Sequence, residues 1–383
     1  MKTTLTLLAL TPSLLLAQGP LAPPPGAPAP TMKTLTQLAP RTAIESLPFT
    51  ISTSGSYYFT QNFQFTATTG NAISITTDNV TLDLGGFTLS STPAVNGTAI
   101  SVSAGRNNIT IKNGIIAGNT TVTIAGTPRV WVTMPAGFSI GVSSNSTVAR
   151  SMTVEHLHVS GCRISGISAI YGSIAHSTAI SNGATGIFAN FGSVSSCIAT
   201  LNASTGINAT RSTITDCTAN FNDTNGILTI FGSVTDCTAN SNRVDGISAL
   251  DSSVSNCSAT SNGSSGISAN GGTVTNSTSN SNGTSGISAL EGTVTSCIAN
   301  SNGTFGISAD SGTVTSCIAS GNVATGIVAA SCSVTSCTAA GNNATSAANA
   351  YDLFASSTAV AFTKYGTSNT VATGTIFTGN KTP

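Results

Sequence analysis

The sequence predicts an all-β fold, a right-handed parallel β-helix whose coils are about 20 residues long. Three observations carry that reading. The dipeptide Gly-Ile recurs at Gly166, Gly186, Gly206, Gly226, Gly246, Gly266, Gly286, Gly306 and Gly326, always 20 residues apart. Around it Val or Ile returns at 174, 194, 214, 234, 254, 274, 294, 314 and 334, with Ala at most of 179 to 339. The apolar positions alternate with a period of two, which marks strands, and no stretch has a helical period. A unit GIxAxxGxVxxCxAxxN cannot bury its own apolar side, so each copy must stack on the next with parallel strands about 4.8 Å apart. Parallel crossovers are right-handed, and 20 is not a multiple of the hexapeptide unit of left-handed solenoids. Four units of five would suit a pentapeptide-repeat solenoid, but the centres here are Ala and Val rather than Leu or Phe.

Each element follows in chain order. Residues 1–17 join a Lys near the start to an apolar stretch and a small residue, as in a secretory signal peptide. A secreted, extracellular or cell-surface location is expected, and no later apolar run of about 18 residues would span a bilayer. Residues 18–31 form a Pro-rich linker, and 32–48 are expected to cap the first coil. Irregular coils follow over 49–160, with a lateral insertion near 117–138, then regular repeats over 161–345 and a C-terminal cap over 346–383. Charged side chains make up 6% of the 383 residues, with 12 Lys+Arg against 12 Asp+Glu. That balance gives no field for nucleic acid or an anionic membrane.

Two columns dominate the repeat. Asn182, Asn202, Asn222, Asn242, Asn262, Asn282, Asn302, Asn322 and Asn342 take one corner of every coil, where stacked amides can bond along the axis. The Asn-x-Ser/Thr triplets this creates, such as Asn282-Gly-Thr284, read as by-products of turn chemistry. Cys197, Cys217, Cys237, Cys257, Cys297, Cys317 and Cys337 form a second column, with Ser277 on the vacant rung. Stacked side chains point the same way, which is poor disulfide geometry and cannot surround a metal ion. Reduced thiols packing as small apolar spacers are expected, with no metal and no cofactor.

In the irregular half, NVTLDLGGFTL (79–89) and NITIKNGII (108–116) align with an offset of 29, placing Val80 over Ile109, Leu82 over Ile111 and Phe87 over Ile116. MTVEHLHVSG (152–161) continues the series. Together with the opening MKTLTQLAPRTAIESLPFTISTSGSYYFTQNF (32–63) and the NGxxGIxA units, these segments resemble the secreted bacterial right-handed parallel β-helix proteins of the pectate-lyase-like kind, from residue 32 almost to the end. The resemblance implies a carbohydrate-related or cell-surface role, and repeat motifs of this type say little about chemistry.

Three groups of residues are candidates for function. Asp83, Lys112 and Glu155 share one outward column, with His156 and His158 beside Glu155 and His176 one coil above His156, so Glu155, His156 and His176 can form a general acid/base set. The clustered acids with a basic proton acceptor, or the grouped aspartates, of pectate-lyase-like enzymes are missing. Tyr171, Phe191, Arg211 and Phe231 share another column near Trp131 of the insertion, a place for rings to stack on sugars and for an Arg to add a hydrogen-bond fork. Finally, Thr213, Thr215, Thr273, Thr275, Thr293, Thr295, Thr313 and Thr315 form Thr-x-Thr rungs like the hydroxyl faces of ice-binding solenoids. The leading expectation is a structural and binding scaffold for a polysaccharide or cell-surface glycan. A polysaccharide lyase or glycoside hydrolase is the alternative, and an ice-binding solenoid the second.

Overall fold

A computed structural model describes residues 40–125, 130–144, 151–342 and 352–356, together with four short strands between Ala359 and Thr378. The signal peptide, the linker and most of the N-terminal cap fall outside the described residues. No helix occurs among the described residues, and none is long and apolar enough to cross a membrane.

Each regular coil contributes three short strands, which stack into three faces of a right-handed parallel β-helix. One face is a 15-stranded parallel sheet that begins at Phe49–Ile51 and carries the Gly-Ile strands, such as Ile227–Ile230. We call it the isoleucine face. The valine face (Ser233–Thr235 and its copies) and the alanine face (Thr238–Asn240 and its copies) belong to one 28-stranded sheet. They are joined because Ile109–Ala117 and Met152–Ser160 each run through both, bending at Asn113 (φ 57°) and His156 (φ 53°). Pairing in the repeat advances by 20 residues, as in Val254↔Val274 and Ile267↔Ile287.

The core is narrow, which accounts for its residue choice. The Ile, Val and Ala columns are fully buried from Ile167, Ile174 and Ala179 upward, and each buried Ile contributes about 2–3 kcal/mol. The Gly of each Gly-Ile pair lies against the asparagine column: a Cβ on Gly206 would stand 2.5 Å from Asn222 Nδ2 and 2.7 Å from the Gly226 carbonyl. A side chain there would displace backbone, so the dipeptide is a packing signature. Corners turn through left-handed residues, as at Tyr171, His176 and Ser181, each with φ between 48° and 57°. Their N–H groups stay satisfied along the axis, Phe191 N donating to Thr210 O at 3.0 Å and Asp216 N to Thr235 O at 3.1 Å.

The asparagine column is a hydrogen-bonded ladder. Within the repeat each amide Nδ2 and backbone N donate to the next Asn Oδ1, at 3.0 Å for both bonds from Asn242 to Asn262. The freed Nδ2 hydrogen reaches an alanine carbonyl, Ala219 O for Asn242 at 2.9 Å. These side chains are buried, so the glycosylation triplets at the ladder are closed to modification. At the far end Asn342 N and Nδ2 donate to Asp352 Oδ1 at 2.9 and 3.0 Å. Asp352 closes the ladder, because the last rung needs only an acceptor.

Three sequence expectations need correction, and the cysteines take a further role. Leu89, not Phe87, sits over Ile116, since Gly85 (φ 58°) and Gly86 (φ 83°) fold a turn closed by Phe87 N to Leu84 O at 2.9 Å. Arg41–Ile44, expected in the cap, is already a strand paired with Ser56–Phe59. The segment after 345 carries further coils instead of leaving the helix: Leu353–Ser356 pairs with Ile327–Ala330, and Ile376–Thr378 with Ala359–Ala361. The cysteines, all free and buried, are hydrogen-bonded corner residues as well as packing groups. Cys217 Sγ donates to Thr215 O at 3.2 Å, and Cys217 N donates to Cys237 Sγ at 3.4 Å. Ser277 does the same work, accepting from Cys257 N at 3.1 Å and donating to Thr275 O at 2.8 Å. The lateral insertion is an antiparallel hairpin, Thr121–Ala125 with Val130–Met134. It is pinned at its base by Thr120 Oγ1 donating to Ala136 O at 2.7 Å.

Candidate functional site

The corner between the isoleucine and valine faces brings Tyr171, Phe191, Arg211 and Phe231 into one stack. Tyr171 and Phe191 lie 4.7 Å apart between centroids with planes 15° from parallel. The Arg211 guanidinium sits 5.4 Å from the Phe191 ring on one side and 5.7 Å from the Phe231 ring on the other. All four are left-handed residues, with φ between 53° and 57°, so each Cβ leaves the corner in the same direction and one coil step sets the stacking distance. The geometry alters the expected role of the rings. Phe191 has both faces covered, by Tyr171 and by Arg211, and offers only its edge to a ligand. Phe231 is 56% exposed, the most exposed ring of the stack. Trp131 lies in the hairpin strand opposite Ile124, and its side chain is outside the described residues.

Beside Arg211 and Phe231 lies a groove of about 310 Å³, lined also by Ser212, Thr213, Gly232 and Ser233. A Cβ on Gly232 would stand 2.5 Å from both the Ser212 carbonyl and Thr229 Oγ1, so this glycine lets the two coils approach beneath the groove. Ser212 is committed internally, donating to Thr210 O at 2.9 Å. Thr213 and Ser233 hydroxyls and the Arg211 guanidinium have no protein hydrogen-bond partner among the described residues. A cation placed between two rings, with no protein partner for its N–H groups among the described residues, is a donor fork beside two hydroxyls and an apolar ring. The sequence supplies the column but not the groove, which depends on how the Arg211 and Phe231 side chains turn.

The second candidate set is only partly brought together. Asp83 pairs with Lys112 and Lys112 with Glu155 in the parallel register. Asp83 is bound, however, by Arg41 at 2.9 Å, a residue the sequence did not single out. His156 and His176 stack with ring centroids 5.0 Å apart and planes 25° from parallel. Glu155 makes no hydrogen bond or ion pair with either among the described residues. His158 faces outward two residues on, opposite Thr178 and away from the stack. No group of three or more His, Cys, Asp and Glu that could hold a metal ion occurs among the described residues.

The threonine rungs of the valine face are in register, Thr273↔Thr293↔Thr313 and Thr275↔Thr295↔Thr315. Thr235 and Ser255, 3.2 Å apart, are the one hydroxyl pair bonded within that face among the described residues. On the alanine face, by contrast, Asn220 Oδ1 accepts from Asn240 N at 2.8 Å and Asn280 Oδ1 from Asn300 N at 3.0 Å.

A family model described as right handed beta helix region matches residues 231–380. No curated protein matches the chain. Among solved structures, the chain is similar to the A-module of the mannuronan C-5 epimerase AlgE4 of Azotobacter vinelandii, at 13% identity and a TM-score of 0.51, covering 86% of this chain and 91% of that one. It is also similar to a double mutant of the periplasmic alginate epimerase AlgG, at 11% identity and a TM-score of 0.49, covering 84% of this chain and 78% of that one. A third similarity is to the Dettilon tailspike protein, at 14% identity and a TM-score of 0.38, covering 85% of this chain and 60% of that one. Strand stacking, the family match and the AlgE4 likeness agree on one architecture: the chain is a right-handed parallel β-helix protein.

Proposed function

We propose that the chain is a carbohydrate-binding β-helix scaffold that holds a glycan at the corner groove of Arg211 and Phe231. The observation that carries this reading is the unpaired Arg211 guanidinium clamped between Phe191 and Phe231, beside the free hydroxyls of Thr213 and Ser233. Sugars present what such a site recognises: a patch of C–H groups for a ring and vicinal oxygens for a planar donor fork. The test is a glycan array followed by affinity electrophoresis against the polysaccharides that bind. Arg211→Ala and Phe231→Ala should each weaken retention about tenfold or more, while Arg106→Ala, remote from the groove, should not. Retention unchanged in both groove variants would remove the site. The same polysaccharides, assayed for new reducing ends and unsaturated products, test the lyase or hydrolase alternative through Glu155→Gln.

A second reading rests on the valine face. Its hydroxyl rungs run in register, carry no ionisable side chain from Ser193 to Thr335, and are left unpaired apart from Thr235 and Ser255. Those features favour an ordered water lattice, and hence ice, as a ligand of that face.

A further inference from the structure

We propose that His156 and His176 form a two-histidine chelate for one divalent transition-metal ion of the zinc and nickel class, at the junction between the long coils and the regular repeat. The site rests on backbone register. Met152–Glu155 pairs with Gly172–Ala175 and His158 with Thr178, so the two histidines occupy equivalent corner positions on adjacent coils. Both are left-handed, at φ 53° and 48°, and both rings are exposed. Their centroids are 5.0 Å apart, with planes converging by 25°.

Imidazole nitrogens bind such ions at about 2.0–2.1 Å, which sets two tetrahedral ligands roughly 3.4 Å apart. Rotation about the side-chain torsions of these two exposed residues can bring one nitrogen of each ring to that separation. Neither ring has a hydrogen bond to give up among the described residues. The fixed register keeps the second imidazole at high effective concentration once the first has bound. No third protein ligand converges there, so water or a donor from outside fills the other positions, as in an open site. The clipped strands differ in kind. Met152–Ser160 pairs back to Ile109–Ala117 across 43 residues and forward to Gly172–Ala175 across 20. A bound ion therefore ties the first regular coil to the last irregular one.

The chain has three histidines, so the third is an internal control. Calorimetric titration of the full chain with Ni²⁺ should give one ion per chain. His156→Asn or His176→Asn should each weaken binding by roughly a hundredfold, and His158→Asn should leave it unchanged. Asn tolerates the left-handed corner, so both variants should keep the circular dichroism of the parent. In imidazole ¹H–¹⁵N spectra, Zn²⁺ should move two histidine signals and spare the third. Binding that survives the double variant, a loss in His158→Asn equal to that in His156→Asn, or no binding by the parent chain would each overturn the assignment.

Discussion

Replacing Asn242 by Ala removes one rung from the middle of the buried ladder, and its cost can be worked out bond by bond. Asn242 Oδ1 accepts from both Asn222 N and Asn222 Nδ2, each at 3.0 Å. Its Nδ2 donates to Asn262 Oδ1 at 3.0 Å and Ala219 O at 2.9 Å. Asn262 Oδ1 keeps a donor, Asn242 N at 3.0 Å. Three groups are therefore left short: two donors on Asn222 and the Ala219 carbonyl. At roughly 1 kcal/mol or more for each buried polar group stripped of a partner, the loss is at least about 3 kcal/mol. Solenoid coils open locally, so the sharpest assay is amide hydrogen exchange at Asn222 and its neighbours, expected to accelerate more than about a hundredfold. The chemistry of the ladder adds a second comparison. Asn242→Asp keeps the acceptor but turns an oxygen toward Asn262 Oδ1 and Ala219 O, so it should be severely destabilising. Asp352→Asn, at the terminal rung where only an acceptor is used, should cost less than about 1 kcal/mol. If Asn242→Ala exchanges no faster than a surface change such as Thr275→Ala, or if the two Asn/Asp exchanges cost the same, the ladder does not hold the coils as argued.

The cysteines yield a redox and a pH prediction. All nine should titrate as thiols in denaturant without reductant, and almost none should be alkylated in the native state; finding at most one thiol would mean that the coils are built around axial disulfides. Burial pushes the Cys162 thiol up from its ordinary 9.0 to about 12, so the folded form keeps a proton that the unfolded chain releases. Its contribution is complete below pH 9.0 and is lost as pH rises toward 12, and Cys162→Ala should flatten that decline relative to the parent chain. Identical pH profiles for the two would contradict the assignment. On the valine face, thermal hysteresis or recrystallisation inhibition at micromolar protein should be present in the parent chain and abolished by Thr295→Tyr. Equal behaviour of the two would dismiss an ice-binding surface.

A 20-residue repeat without insertion determines by itself which residues share a column, because parallel strands in register can stack only like on like. The asparagine ladder, the Tyr171–Phe231 column and the His156–His176 neighbourhood were legible for that reason. What the side chains do within a column was not, since a period says nothing about torsions or about the space left by neighbours. Only the tertiary structure decided that Phe191 has its faces covered by Tyr171 and Arg211, and that a groove lies beside Arg211 and Phe231. It also showed the corner thiols trading hydrogen bonds with backbone, a role shared with Ser277 that the column itself had hinted at. Where the period breaks, local geometry takes over. Two glycines with positive φ shift the pairing from Phe87 to Leu89, and a carboxyl 10 residues beyond Asn342 closes the ladder. Neither can be counted off a repeat, because each depends on where the chain returns in space after leaving it.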